Sequence, residues 1–431
     1  MGETRELDDG FAKAAESERP RVGRPLFART RRTDTPASTS AEATVAAPAL
    51  ASAAIPVSPS KAKAGLLQEL DASDERAEEA LNKRVPLWIK AAIAASLVGI
   101  MVLSFAFGRY PINPVELVQT LGGLINNWLA GVMQGAFGVT IPLVDVDPKM
   151  ATALVNIRLP RILVVVMVGA ALAVAGASYQ GMFKNPLVSP DLLGASAGAS
   201  FGACLALLLD LSNIYVQLFA FIGAMVAVGG AVWMNKMVNK YDAILGLVLG
   251  GMLVSTLFQS CTSLVKFMAD ANDKLPAITF WLMGSFSRID QADFWMILLP
   301  MVLGFVMLIL ERWKLNVLSF GEEEAKSLGI NTKRVRLIVI FASTLIVACS
   351  VAVSGIVGWV GLVIPHLARA IVGPNYKVLL PASMFIGASY LLLVDDIARL
   401  VSSTEIPIGI LTAILGVPFF IFIFRHNMKG W

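Results

Sequence analysis

Apolar residues are distributed unevenly along this chain. Residues 1–86 are polar, whereas from Leu87 onward long apolar runs alternate with short polar loops. A helix needs about 20 apolar residues to cross the hydrocarbon core. Runs of that kind predict ten spans, at 87–108, 158–183, 188–209, 214–235, 242–267, 292–311, 336–355, 357–372, 378–397 and 406–425. Pro190, Gly194, Gly198 and Gly202 predict an interruption at the start of the third span, and Pro365 falls in the middle of the eighth. Interrupted helices are tolerated at membrane depth only where protein or water covers the freed backbone. The pattern therefore predicts an all-α membrane domain over 87–431, preceded by a separate extension.

That extension, residues 1–86, carries Arg19, Arg21, Arg24, Arg29, Arg31 and Arg32, then an Ala/Ser/Thr/Pro-rich stretch from Thr33 to Ser60. It has too few large apolar groups to offset chain entropy, so a largely disordered cytoplasmic tail is predicted. Leu66, Leu67, Leu70, Ala77 and Leu81 fall close to helical spacing and predict a short helix over 66–84. The arginines invite contact with anionic headgroups, and a solvated tail is the simpler reading. The first apolar run starts too far from Met1 for a cleaved signal peptide and reads as a retained span.

Composition agrees with the membrane reading. The 431 residues are 56% hydrophobic and 15% charged, with a mean hydropathy of +0.70. Loop charges then set an orientation. With the N-terminus inside, the inner loops hold Lys184, Lys236, Lys240, Arg312, Lys314, Lys326, Lys333, Arg334, Arg336, Arg369 and Lys377. The outer ones hold Asp145, Asp147, Asp270, Asp273, Asp290, Asp293, Asp395 and Asp396. The positive-inside bias thus predicts both termini in the cytoplasm of an inner membrane. Cys204, Cys261 and Cys349 show no paired spacing, and His366 and His426 form no cluster, so no metal site is expected.

At an offset of 179 residues, Val174 meets Val353, Gly176 meets Gly355, Pro186 meets Pro365 and Gly194 meets Gly373. Those positions begin at the second and seventh spans, so two copies would lie in opposite orientations. Inverted repeats with broken helices suit alternating access. The chain has no G-x-x-x-x-G-K-[S/T] segment to cradle a phosphate. ATP-driven transport would need a partner that hydrolyses the nucleotide. An ion-coupled transporter is the alternative, although the predicted mid-spans are almost free of ionisable groups. A non-transporting scaffold is the third reading.

Polar residues in two places suggest function. The loop LSFGEEEAKSLGINTKRVR, Leu318–Arg336, puts three acids after Gly321 and a stop at Leu328-Gly329. This predicts a short cytoplasmic helix with Ala325 and Leu328 on one side, suited to a soluble partner's groove. A solvated connector is the plainer reading. Gln259, Ser260, Cys261, Thr262 and Ser263 interrupt the fifth span, where they either line a polar route or bond neighbouring helices.

Five segments together resemble the FecCD family of membrane subunits. They are R-L-P-R at Arg158–Arg161, GMFKNPLVSPDLLGASAGASFGA at Gly181–Ala203, the GEEEAKSLG loop, SGIVGWVGLVIPHLAR at Ser354–Arg369, and DDIAR with IPIGILTAILGVP. The resemblance implies a vitamin B12 importer permease-like fold of about ten spans. It also implies import of a ferric siderophore, haem or a corrinoid from the periplasm. The implied assembly has two permease copies, two ATP-binding-cassette subunits that hold ATP and Mg, and a periplasmic binding protein. No cofactor on this chain and no nucleic-acid partner are implied. By the same resemblance, Gly321, Glu322, Glu323, Ala325, Leu328 and Gly329 form the ATPase-coupling loop. Arg158, Arg161 and Arg399 would receive carboxylates of the binding protein, against a simpler role of anchoring helix ends at the headgroups. Gln259, Ser260, Thr262 and Ser263 would line the pathway, and His366 reads as a packing residue.

Overall fold

The computed structural model describes residues 85–107, 113–238, 243–402 and 404–427. The N-terminal extension, including the helix predicted over 66–84, lies outside the described residues. Among the described residues every regular element is helical. The seven long apolar helices are α1 (Leu87–Ala106), α3 (Pro148–Met182), α5 (Asn213–Val238), α6 (Ala243–Met268), α8 (Gln291–Phe320), α10 (Thr332–Ser354) and α12 (Tyr376–Val401). Three shorter apolar ones are α4 (Ala195–Leu208), α11 (Val360–Val372) and α13 (Ile408–Asn427). These ten coincide with the ten predicted spans. The remaining helices, α2 (Pro114–Phe137), α7 (Lys274–Met283) and α9 (Glu322–Ser327), connect them.

Local chemistry explains where the spans start and break. Gly194, at φ +85°, turns the chain from a single 3-10 turn at Pro190–Leu193 into α4, as the glycine-rich start predicts. The eighth span breaks differently, through the loop between Ser354 and Val360 rather than at Pro365, which lies inside α11. Helix α8 extends nine residues past its predicted end at 311, to Phe320. A Glu311–Lys314 pair at 2.8 Å keeps the helix continuous there.

The connector before the second span contains α2, a helix of 24 residues that the hydropathy pattern does not predict. Its glycines and its Asn126-Asn127 pair dilute the apolar signal, although its ends are marked. The Asn113 side chain accepts from the Val115 N–H at 3.1 Å, Pro114 takes the first helical position, and Gly138 closes the helix at φ +68°. Leu117 on α2 packs with Leu154 of α3.

Helices α3 and α10 occupy the middle of the bundle, each 83% buried along its apolar window. Burial on all sides requires close backbone approach, and two glycines on α3 allow it. A methyl group on Gly169 would overlap the Gly387 carbonyl of α12, and one on Gly176 would overlap the Gly361 carbonyl of α11.

The internal repeat survives in a different register. Ala195 to Val360 and Ala243 to Ile408 differ by 165 residues, and Asn213 to Tyr376 by 163. Thus α4, α5 and α6 match α11, α12 and α13 in order, and the first two pairs also match in length. The offset of 179 is wrong in detail, because it pairs Gly194, which starts α4, with Gly373, which ends α11. Identities among glycine and proline in a biased composition are weaker guides than helix lengths.

Gly176→Ala should cost about 1–3 kcal/mol or more of stability through overpacking. Gly229→Ala, where a methyl group meets nothing within 4 Å, should be neutral. The detergent-solubilised melting midpoint checks both, and equal midpoints would mean that the α3–α11 crossing relaxes freely.

Candidate functional site

Three places in the bundle combine charge or polarity with a defined geometry. The first lies where α1 and α12 end and α3 enters the bundle. Arg161 donates from Nε and Nη2 to the Asp395 carboxylate at 3.1 and 2.7 Å. It also donates from Nη1 and Nη2 to Glu405, both at 3.0 Å. Arg399 pairs with Asp395 at 3.2 Å and with Asp396, and it donates to the Ser104 hydroxyl of α1 at 2.8 Å. Ser104 in turn donates to Asp396 at 2.7 Å. Arg158 donates to the Phe105 carbonyl. Three guanidinium groups thus accompany three carboxylates, and Asp395 is wholly buried.

Arg158, Arg161 and Arg399 are therefore only 7–8% exposed. They are not the open rim that the resemblance implies, because the chain's own carboxylates engage Arg161 and Arg399 and the Phe105 carbonyl accepts from Arg158. Asp395 and Asp396 also leave the tally of outer-loop charges, since they lie inside α12. The spacing signalled this in part: Asp395 and Asp396 stand four and three residues before Arg399, which faces them together on one helix. Removing one partner from such a buried pair costs about 3–5 kcal/mol, so this network fastens α1, α3 and α12 together.

The second place is α6. Gln259, Ser260 and Ser263 lie on its exposed face, while Thr262 is buried. Each hydroxyl is satisfied locally, with Ser260 donating to the Thr256 carbonyl at 2.9 Å, Thr262 to Phe258 at 2.9 Å and Ser263 to Gln259 at 3.0 Å. The Gln259 amide differs. It makes no side-chain hydrogen bond among the described residues, and it sits on a face that also carries Met252, Thr256 and, near the helix end, Lys266.

The third is α9. It starts at Glu322 after Gly321 and stops at Leu328, with Gly329 at φ +76°, as the acids and glycine predict. Glu322 pairs with Arg336 of α10, and a Lys326 hydrogen bond of 2.8 Å holds the Glu323 carboxyl below its usual range. Ala325 and Leu328 do not share a side. Ala325 is fully buried in the chain's own core and Leu328 is 64% exposed, so only Leu328 faces outward as an apolar contact.

Relatives of this arrangement are known. The FecCD transport family matches over residues 92–426. The chain is a member of that family. The molybdate import system permease protein MolB of Haemophilus influenzae is 39% identical over 321 residues, 74% of this chain and 90% of that protein. The cobalamin import system permease protein BtuC of Halobacterium salinarum is 33% identical over 365 residues, 80% of this chain and 98% of that one. A solved chain described as an inward-facing metal-chelate type ABC transporter superposes with a TM-score of 0.67 at 37% identity. It covers 78% of this chain and 97% of its own length. This FecCD chain is accordingly a multi-pass permease subunit of an ATP-binding-cassette importer, which decides against the ion-coupled and scaffold readings.

The family's glycine-rich segment, Ser354–Arg369, runs from the end of α10 through the loop 355–359 into α11. Gly284 and Gly355 take φ +76° and +69°, and Trp359 takes +69°. The Ser285 N–H donates to the Ser354 carbonyl at 2.8 Å, and the Ile408 N–H donates to the Gly284 carbonyl at 3.0 Å. Backbone hydrogen bonds thus join the ends of α7 and α10 and the start of α13. A cavity of about 480 Å³ opens beside them, lined by Met283, Trp359, Gly409 and Ile414 among others. His366 meets Phe420 edge to face at 5.9 Å between ring centres, a packing geometry.

Proposed function

We propose that this permease works as a homodimer in the inner membrane, with both termini cytoplasmic, and carries a metal-containing ligand from periplasm to cytoplasm. The ligand classes consistent with its relatives are a ferric chelate, haem, a corrinoid or an oxyanion. Energy comes from ATP and Mg held by two partner ATPase subunits, and a periplasmic binding protein delivers the ligand. The observation that carries this reading is Gln259. A primary amide on an outward face at membrane depth costs free energy against lipid and costs little against water. A route between two copies, with α6 and the open face of α13 as its walls, supplies that water.

The other two places take roles at opposite ends of the route. Leu328 and the acids of α9 form the contact for the ATPase groove, with Glu322–Arg336 tying α9 to α10 so that closure of the ATPases moves a span. The arginine end receives the binding protein by exchange, incoming carboxylates displacing Asp395, Asp396 or Glu405 from guanidinium groups suited to bidentate contact. Identifying the binding protein that co-purifies, and its bound ligand, separates the ligand classes.

Gln259→Leu should leave assembly and ATPase turnover intact while lowering ligand uptake in proteoliposomes several-fold. Wild-type uptake with an unchanged or raised melting midpoint would put this residue against lipid. Leu328→Arg places a charge in an apolar groove and should weaken ATPase association by a few kcal/mol, seen as loss of the ATPase on purification; full retention would make α9 a connector. Of the three network acids, Glu405 is the most exposed, at 13% of its side chain. Glu405→Gln should free Arg161 in part and tighten binding-protein association by several-fold, most at low salt. Unaltered affinity would remove the arginines from docking.

A further inference from the structure

Helix α1 is peripheral, with only Leu97 and Ser104 buried along its length, and it packs mainly along α12. The two run parallel. At one end Ser104 meets Arg399 and Asp396; at the other the helices part around a cavity of about 240 Å³. Its walls are apolar, from Ile93 and Ala94 on α1 and Pro381 and Phe385 on α12, and Lys90 and Lys377 stand at its edge. Pro381, inside α12, and the small Ala94 leave the space that larger side chains would close.

Neither ammonium has a hydrogen-bond or ion-pair partner among the described residues, and both are exposed. Their depth is fixed by the helix rise. Lys377 precedes Arg399 by 22 residues, roughly 33 Å of helix, which is about one hydrocarbon thickness. With Arg399 at one interface, Lys377 reaches the other. Lys90 begins nearer the middle, and its long stem lets the charge snorkel toward the same interface, where it lines the cleft together with Lys377.

We propose that this cleft is a binding site for one anionic phospholipid, its phosphodiester between Lys90 and Lys377 and an acyl chain along Ile93, Ala94 and Phe385. Two cations with no acid beside them among the described residues disfavour a second copy of the same face, and an apolar slot continuing into the bilayer gives a free phosphate nothing to fill. A net negative headgroup is preferred over a zwitterionic one, by about five-fold per lysine. The site depends on the membrane spans and on neither the transported ligand nor the transport direction.

The test uses the full-length purified chain, with native mass spectrometry counting bound lipid and a melting midpoint as an independent readout. Phosphatidylglycerol should be retained at one molecule per chain and should raise the midpoint, whereas phosphatidylcholine of the same acyl composition and inorganic phosphate should do neither. The exposed pair Lys90→Gln/Lys377→Gln should lower retention at least ten-fold. Ala94→Trp, which keeps both lysines and fills the slot, should abolish it. Retention of phosphatidylglycerol by the double variant, or equal retention of phosphatidylcholine by the wild type, would overturn the proposal. Equal protection by inorganic phosphate would reduce the site to a pair of surface charges and overturn it as well. If Ala94→Trp fails to fold, the lysine pair decides. Because no uptake is measured, failure here leaves the transport reading untouched, and failed transport leaves this site standing.

Discussion

Burial of α3 on all sides is the constraint from which the rest follows. A helix surrounded by protein in a bilayer has no solvent-driven reason to associate, so contact area and backbone proximity must supply the attraction. Gly169 and Gly176 let α12 and α11 approach to backbone contact. At the α11 crossing the polar Gln180 is held by donating to the Leu362 carbonyl at 3.3 Å, and α3 carries its charged groups at one end. There Arg161 is held by Asp395 and Glu405, so the helix enters the bundle with its charge already compensated.

That compensation changes how the arginine end can act. Arginines open to water would bind any acidic surface and would be screened by salt. Buried and balanced ones respond only to a partner that offers carboxylates in matching geometry, since a poorer match leaves charges unpaired. In the proposed docking role, selectivity for a correct partner would come from the cost of disturbing the network, at some loss of affinity.

The spans were legible because length and hydropathy alone determine them, and the interrupted third span was legible from Pro190 and Gly194. Helix α2 was not, since its apolar residues follow a stripe instead of a run, though Asn113-Pro114 and Gly138 marked its ends. Pairing of Asp395 and Asp396 with Arg399 lay within one helix and could be read from spacing. The partnership of Arg161 with Asp395, 234 positions away, could not, because nothing local encodes which helix end meets which. The repeat was visible in kind but misregistered, as a few matched glycines and prolines carry less information than the lengths of α4 and α5 against α11 and α12. Around α9, the acids and Gly329 predicted the helix correctly, while the direction of Ala325 depended on how α8 and α10 flank it.

The joint between α7, α10 and α13 is made of main-chain hydrogen bonds, from Ser285 to Ser354 and from Ile408 to Gly284. Main-chain groups are the same whatever side chains they carry. The cavity walls beside this joint are therefore free to vary in size and polarity without loosening it, provided the left-handed glycines stay. On the proposed route between two copies, point changes at Met283, Ile414 or their neighbours would retune the cargo and keep an unaltered scaffold, so that one architecture could serve cargoes as unlike as an oxyanion and a macrocycle.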